Sequence, residues 1–178
     1  MRYATLITLT ATSVAAECPE GQDYTAQLAA LVAQMQVAPD EGAARALSGQ
    51  MWEIWLDAPD ALAQGMLQEG VALLRMGDTN ASRAALSELI DYCPDYAEGY
   101  NQRAFAAFLS GDFEGALVDL DRAIGLRPQH LGALTGKALT LIELDRNEEA
   151  QEVLRAALRI NPWLAERALL DGPLDRDI

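Results

Sequence analysis

The feature that most constrains this chain is a set of prolines that recur at a fixed interval. Pro94, Pro128 and Pro162 are equally spaced along the chain, and the same order of large, small and turn-forming residues precedes each of them. Their interval, roughly 34 residues, is typical of arrays built from repeated helical hairpins. The spacing therefore predicts a series of stacked helix-turn-helix units that bury a shared core.

The clearest unit runs from Ala97 to Pro128. Its two helices are expected to approach most closely at small residues, with large residues filling the spaces beside them. The small positions are Ala104, Ala116 and Ala123, and the large positions are Tyr100, Leu120 and Ile124. Gly111 suits a left-handed residue at the end of the first helix, and Asp112 can cap the second. Pro128 ends the second helix because it has no N–H to donate.

This unit resembles the tetratricopeptide repeat, which has an aromatic residue near its start, Gly or Ala at position eight, Ala at twenty and Pro at thirty-two. Residues 131–162 keep the pattern, whereas residues 63–94 keep it loosely. The looser unit carries Met66, Ser82 and Leu89 where the family has an aromatic residue and two alanines. The resemblance implies an all-α fold, a right-handed superhelical array of helix-turn-helix repeats. We expect about three clear repeats plus a degenerate N-terminal helical hairpin, with the array and a short C-terminal cap helix spanning residues 61–170.

Composition agrees with a folded helical protein. Hydrophobic residues make up 51% of the 178 residues, and 27 acidic against 13 basic residues give a net charge of −14. Such a charge repels nucleic acid and anionic lipid headgroups, so we expect neither as a partner. It permits a basic partner without requiring one.

Residues 1–16 resemble a secretory signal peptide. Arg2 precedes an uncharged apolar run and then small residues, with cleavage expected after Ala15 or Ala16. The apolar run is too short to span a membrane. This interpretation makes the protein a small exported bacterial one, periplasmic or secreted. The alternative is an ordinary N-terminal helix.

The two cysteines, Cys18 and Cys93, can form a disulfide. In an oxidising compartment, a pair of cysteines without an odd thiol suggests a bridge. Such a bridge would tether the N-terminal segment to the repeat array. The alternative is two unconnected thiols. Catalytic use of either is not expected, because neither has a CxxC motif or a neighbouring histidine.

Residues 17–60 are expected to form the N-terminal hairpin, as a cap on the array. Helix-spaced apolar residues occur at residues 24–37 and again at 41–56. Trp52 and Trp55 share one face of the second helix. We expect them to fill the joint with the first repeat rather than to bind a ligand.

In the tetratricopeptide family, the first helix of each hairpin lines a concave groove that binds proteins or peptides. The resemblance implies that the groove here is lined by Val71, Leu74, Arg75, Asn101, Phe105, Phe108, Leu109, Leu139 and Ile142. Chaperone-binding members use Lys, Asn and Arg on this face to clamp a C-terminal carboxylate, and that set is missing. An apolar peptide or helix segment therefore fits better. The alternative is that the apolar residues are partly interior, or are covered by the chain's own N-terminal helix.

No residue pattern indicates catalysis, a metal or a cofactor. His130 is the only histidine, and no cluster of metal ligands, nucleophile elbow or phosphate-binding loop is visible. His130 can instead help to cap the helix that follows it. We therefore expect a non-catalytic adaptor or assembly factor with a protein or peptide partner. The alternative is a structural homo-oligomer joined near Trp163. Residues 171–178 are expected to form an acidic tail.

Overall fold

The computed structural model describes residues 17–172, which form eight α-helices and a final 3₁₀ helix. The α-helices are α1 Thr25–Gln36, α2 Glu41–Trp55, α3 Ala61–Arg75, α4 Thr79–Tyr92, α5 Ala97–Leu109, α6 Phe113–Leu126, α7 Leu131–Glu143 and α8 Asn147–Ile160; the 3₁₀ helix is Ala165–Leu169. Helices α3 to α8 pair as three hairpins that stack in chain order. The predicted all-α array is therefore confirmed. The predicted signal peptide and residues 173–178 of the predicted tail lie outside the described residues.

The turn inside each repeat hairpin uses a residue in the left-handed conformation. Gly77 and Gly111 have φ angles of 83° and 79°, and Asp145 takes the same place in the third repeat with a φ of 57°. Glycine adopts this conformation without steric cost, because it has no Cβ. The next residues, Asp78 and Asp112, accept a backbone N–H three positions on and cap the second helix. The turn chemistry predicted from Gly111 and Asp112 is confirmed.

Small residues stand where the helices cross, as the repeat pattern predicts. The three alanines predicted at the crossings of the clearest unit, Ala104, Ala116 and Ala123, are all fully buried. The looser first repeat departs from the pattern for a reason that its packing shows. The Ser82 hydroxyl donates to the Gly70 carbonyl oxygen at 2.8 Å, so a serine is satisfied where alanine is usual. A Cβ at Gly70 would lie 2.5 Å from Cγ of Leu86, so this crossing requires glycine.

The N-terminal hairpin of α1 and α2 packs against the last repeat, not in front of the first. Apolar side chains of α1 and α2 share one core with Leu131 and Leu134 of α7 and Ala157 of α8. Beside that core, Gln36 Nε2 donates to the Arg159 carbonyl oxygen at 3.1 Å. The hairpin forms as predicted, but its predicted place as a cap before the first repeat is wrong.

Two tryptophans make the joint between this hairpin and α7. Trp55 stacks on His130 with ring centroids 4.5 Å apart, and Trp52 meets the same ring edge-on at 6.0 Å. A Cβ at Gly132 would lie 2.6 Å from Cη2 of Trp52. The prediction that these tryptophans fill the joint with the first repeat is therefore wrong. They pack here because Gly132 leaves room for an indole and His130 offers a flat aromatic face.

The 3₁₀ helix covers the C-terminal end of the array. Leu164 and Leu170, which flank it, pack against the buried face of α8. Gln151 Nε2 donates to the Leu169 carbonyl oxygen at 2.9 Å. Trp163 packs against the core that the N-terminal hairpin shares with α7. Less apolar surface is therefore left near Trp163 than the sequence suggests.

Candidate protein-binding pocket

The first helices of the second and third repeats, α5 and α7, form a pocket that Trp52 of α2 closes on one side. Its volume is about 320 Å³. The side chains that shape it include Trp52, Asn101, Gln102, Phe105, Phe108, Thr135, Leu139 and Thr140. None of the residues that line it is charged. We call this site the Phe105 pocket.

Four of the nine predicted groove residues line the Phe105 pocket: Asn101, Phe105, Phe108 and Leu139. Phe105 is 50% exposed, which is unusual for a large aromatic side chain. Phe108 and Leu139 are half-buried, and Asn101 is buried. The N-terminal hairpin covers the start of α7 beside them. The alternative that the apolar groove residues are partly interior therefore holds for Phe108 and Leu139, but not for Phe105.

The other five predicted groove residues lie away from this pocket. Val71 packs against the core of the first repeat, and Ile142 packs against a core cluster of α6, α7 and α8. Leu74 is half-buried, whereas Arg75 and Leu109 are exposed. The structure thus brings together four α5 and α7 members of the predicted set, but leaves out Leu109 of α5, Ile142 of α7 and all the α3 members.

A buried polar network lies beside the Phe105 pocket. The side chains of Glu98 and His130 are both fully buried, with 2.8 Å between Glu98 Oε2 and His130 Nε2. His130 Nδ1 accepts from the Ala133 N–H at 3.2 Å, so the predicted capping role of His130 is confirmed. Since Nδ1 is an acceptor, the ring proton is on Nε2 and donates to Glu98. Asn101 Nδ2 and Gln102 Nε2 also donate to the Glu98 carboxylate.

Sequence reasoning missed this network. Glu98 and His130 are distant in sequence and belong to different repeats, and neither stands at a position that the repeat pattern marks. The only available signal was an acidic residue at a helix position that faces inward in this family. Three donors on one carboxylate explain why Glu98 can be buried there.

Tyr96 connects the same region to the N-terminal hairpin. Its hydroxyl donates to the Trp55 carbonyl oxygen at 3.0 Å. Burial raises the pKa of Tyr96, and the negative charges of Glu98 and Asp57 raise it further. The phenol is therefore held in its neutral form, which is the form that can donate this hydrogen bond.

The segment that precedes α1 is held against the end of α4 by a disulfide between Cys18 and Cys93, whose Cα atoms are 5.2 Å apart. A second cavity, of about 630 Å³, lies beside this bridge. Tyr24 lines the cavity and donates to the Asp57 carboxylate, which raises the pKa of Tyr24. The bridge therefore joins the N-terminal segment to the first repeat hairpin directly.

Residues 17–172 contain no group of three His, Cys, Asp or Glu side chains arranged to hold a metal ion. None of the helices described here combines the length and apolar character needed to cross a membrane.

Comparison with known proteins identifies the repeat. Two family models described as tetratricopeptide repeat match residues 107–169 and 64–96. A TPR repeat-containing protein of Rhizobium etli is 28% identical over 146 residues, which cover 82% of this chain and 66% of that protein. Tetratricopeptide repeat protein 36 of Mus musculus is 41% identical over 107 residues, which cover 57% of each chain. The chain thus spans about half to two thirds of the length of these relatives.

Solved structures share the fold. The TPR2B domain of yeast Sti1, in its pHsp70 complex, superposes with a TM-score of 0.57 at 26% identity, over 60% of this chain and 88% of that chain. The matched 60% of this chain is long enough for the three repeat hairpins, but too short to include the N-terminal hairpin as well.

Proposed function

This chain belongs to the tetratricopeptide repeat proteins, and we propose that it is an adaptor or assembly factor that holds a segment of a partner protein in the Phe105 pocket. Repeats of this type are protein-interaction modules, and the TPR2B domain of Sti1 is in complex with pHsp70. The observation that carries the proposal is Phe105, which is half exposed in a concave pocket beside Phe108 and Leu139. Exposed aromatic side chains in such pockets are typical anchors of protein interfaces.

The N-terminal hairpin limits what this site accepts. Trp52 stands against Gly132 at the start of α7, so the groove is already filled on that side. A cavity of about 320 Å³ is at the small end of the range for ligand pockets, roughly 300–1,000 Å³. We therefore propose a short contact, one or two large side chains of a peptide segment, rather than a long helix lying along the whole groove. A role without catalysis is part of this proposal.

The proposal is tested by capture of partners with two matched variants. Phe105→Ala removes the aromatic ring from the pocket, whereas Val118→Ala truncates an apolar side chain at a 70% exposed position of α6 outside the pocket. If Phe105 is an anchor, its loss weakens the binding of the captured partner by about 2 kcal/mol, which is roughly a 30-fold increase in Kd. Val118→Ala is expected to leave that Kd unchanged. Equal retention of the partner by both variants, with wild-type helicity in each, would refute the proposal.

We also propose that the protein is exported and works in the periplasm or outside the cell. The support is the Cys18–Cys93 disulfide, because such bridges persist in oxidising compartments. The test is the intact mass of protein recovered from its native host, before and after reduction. A mass that lacks residues 1–15 or 1–16 and rises by two protons on reduction is expected. A full-length mass with free thiols would show that the proposal is wrong.

Homo-oligomerisation through the C-terminal end has less support. Trp163 and Leu164 pack within their own chain, so little apolar surface remains there for a second copy. Sedimentation at increasing protein concentration tests this alternative: a constant monomer mass would exclude it, and a stable dimer mass would favour it.

A further inference from the structure

The hydrogen-bonding groups of the Phe105 pocket are biased towards acceptors. The Thr135 hydroxyl donates to the Leu131 carbonyl oxygen at 2.9 Å, and the Thr140 hydroxyl donates to the Gly136 carbonyl oxygen at 2.7 Å. A hydroxyl has a single proton. Thr140 is fully buried, so Thr135 is the pocket threonine that can meet a ligand, and it has only lone pairs left to offer.

The two amides of the pocket are held in a similar way. Asn101 and Gln102 each donate one N–H to the buried Glu98 carboxylate. No described residue donates to the carbonyl oxygen of either amide. Thr135, Asn101 and Gln102 thus carry three side-chain oxygens as free acceptors. The donors that they retain, the second amide hydrogens and the Trp52 indole N–H, are all neutral.

The electrostatic environment has the same bias. No Lys, Arg or His is among the described residues that line the pocket, and the buried Glu98 carboxylate lies directly behind its two amides. The chain as a whole has a net charge of −14. The aromatic rings of Trp52, Phe105 and Phe108 have negative faces, which attract cations.

We propose that the occupant of the Phe105 pocket is an arginine side chain, presented by a basic segment of the partner protein. The guanidinium group supplies the donors that the three oxygens lack, and its plane stacks on aromatic rings. Its aliphatic stem packs on Leu139 and Phe105. This inference rests on the proposed function and names the chemistry of its partner. The clamp residues that this chain lacks would bind a negatively charged carboxylate, whereas the occupant proposed here is positively charged.

The test compares three capped amino acids by NMR titration of the ¹⁵N-labelled protein: N-acetyl-arginine amide, its neutral analogue N-acetyl-citrulline amide, and N-acetyl-leucine amide. Saturable shifts are followed at the amides of α5 and α7, at physiological salt. The charge of arginine is expected to give about tenfold tighter binding than citrulline. Citrulline or leucine binding as tightly as arginine would overturn the inference, and the proposed role of the Phe105 pocket in holding a partner segment would still stand. Absence of shifts in α5 and α7 with all three probes would overturn both.

A pair of variants separates the pocket from the overall charge. Gln102→Lys places an ammonium beside Glu98 and should abolish the preference for arginine over leucine. Gln129→Lys makes the same charge change in an exposed loop outside the pocket and should keep that preference. An equal loss in both variants would mean that the net charge, and not the pocket, selects arginine. If Gln102→Lys does not fold, the comparison of arginine with citrulline on the wild-type protein decides alone.

Discussion

The packing of Trp52 on Gly132 leads to a prediction about a single added methyl group. An alanine Cβ at residue 132 would lie 2.6 Å from Cη2 and 3.1 Å from Cζ2 of Trp52. An indole is rigid, so either the ring or the hairpin has to shift. Overpacking of this kind costs about 1–3 kcal/mol, whereas glycine to alanine in a helix gains at most about 1 kcal/mol. We expect Gly132→Ala to destabilise the protein by about 1 kcal/mol.

Gly49→Ala is the matched control. Gly49 lies within α2, and nothing stands within 4 Å of its added Cβ. The same substitution should therefore stabilise the protein by up to about 1 kcal/mol through helix propensity alone. The two variants should thus differ by about 2 kcal/mol.

The measurement is urea unfolding followed by circular dichroism and by tryptophan fluorescence, with all three tryptophans in the N-terminal hairpin or packed against its core. The expected difference between the two variants should appear as a midpoint shift without a change in slope. If Gly132→Ala is as stabilising as Gly49→Ala, Trp52 does not pack on α7, and the placement of the N-terminal hairpin is refuted.

Three further predictions follow from contacts elsewhere. Reduction of the Cys18–Cys93 bridge opens a loop of 75 residues and should lower the free energy of unfolding by about 4.5 kcal/mol by the chain-entropy relation. Equal urea midpoints for the oxidised and reduced protein would contradict this prediction. The raised pKa of Tyr96 means that its contribution to stability is complete below the ordinary tyrosine pKa, about 10, and is lost as pH rises above that value. The melting temperature of Tyr96→Phe should therefore fall less steeply than that of the wild type between about pH 9 and pH 11, and parallel curves would count against this linkage. Asp119 receives two hydrogen bonds of 2.7 Å from Arg103. Asp119→Ala should lower the free energy of unfolding by about 2 kcal/mol, because the half-buried guanidinium loses its carboxylate partner. Calorimetry that shows no loss of stability would argue that water replaces the carboxylate.

The repeat hairpins could be predicted in detail, because each is specified by residues close together in sequence. Gly111 and Asp112 specify a turn and a cap by their own backbone and side-chain preferences. Ala104 and Ala116 specify a close helix crossing within one hairpin. Such local rules recur once in every repeat, so the period itself reveals them.

The candidate site was predicted only in part. Phe105, Phe108 and Leu139 were found because the resemblance assigns their positions to the concave face. Trp52, which closes the pocket, was assigned to a different joint. No period relates Trp52 to Gly132, since one belongs to the N-terminal hairpin and the other to the third repeat.

The sequence by itself determined the helices, their pairing into hairpins and the order in which the three repeats stack, because those features depend on contacts between near neighbours. Only the tertiary structure decided where the N-terminal hairpin lies. Its apolar face can be buried against any complementary surface that the connection at residues 56–60 can reach. Shape selected α7 and α8, where Gly132 admits an indole and His130 stacks beneath Trp55, and that choice left the Phe105 pocket open beside it.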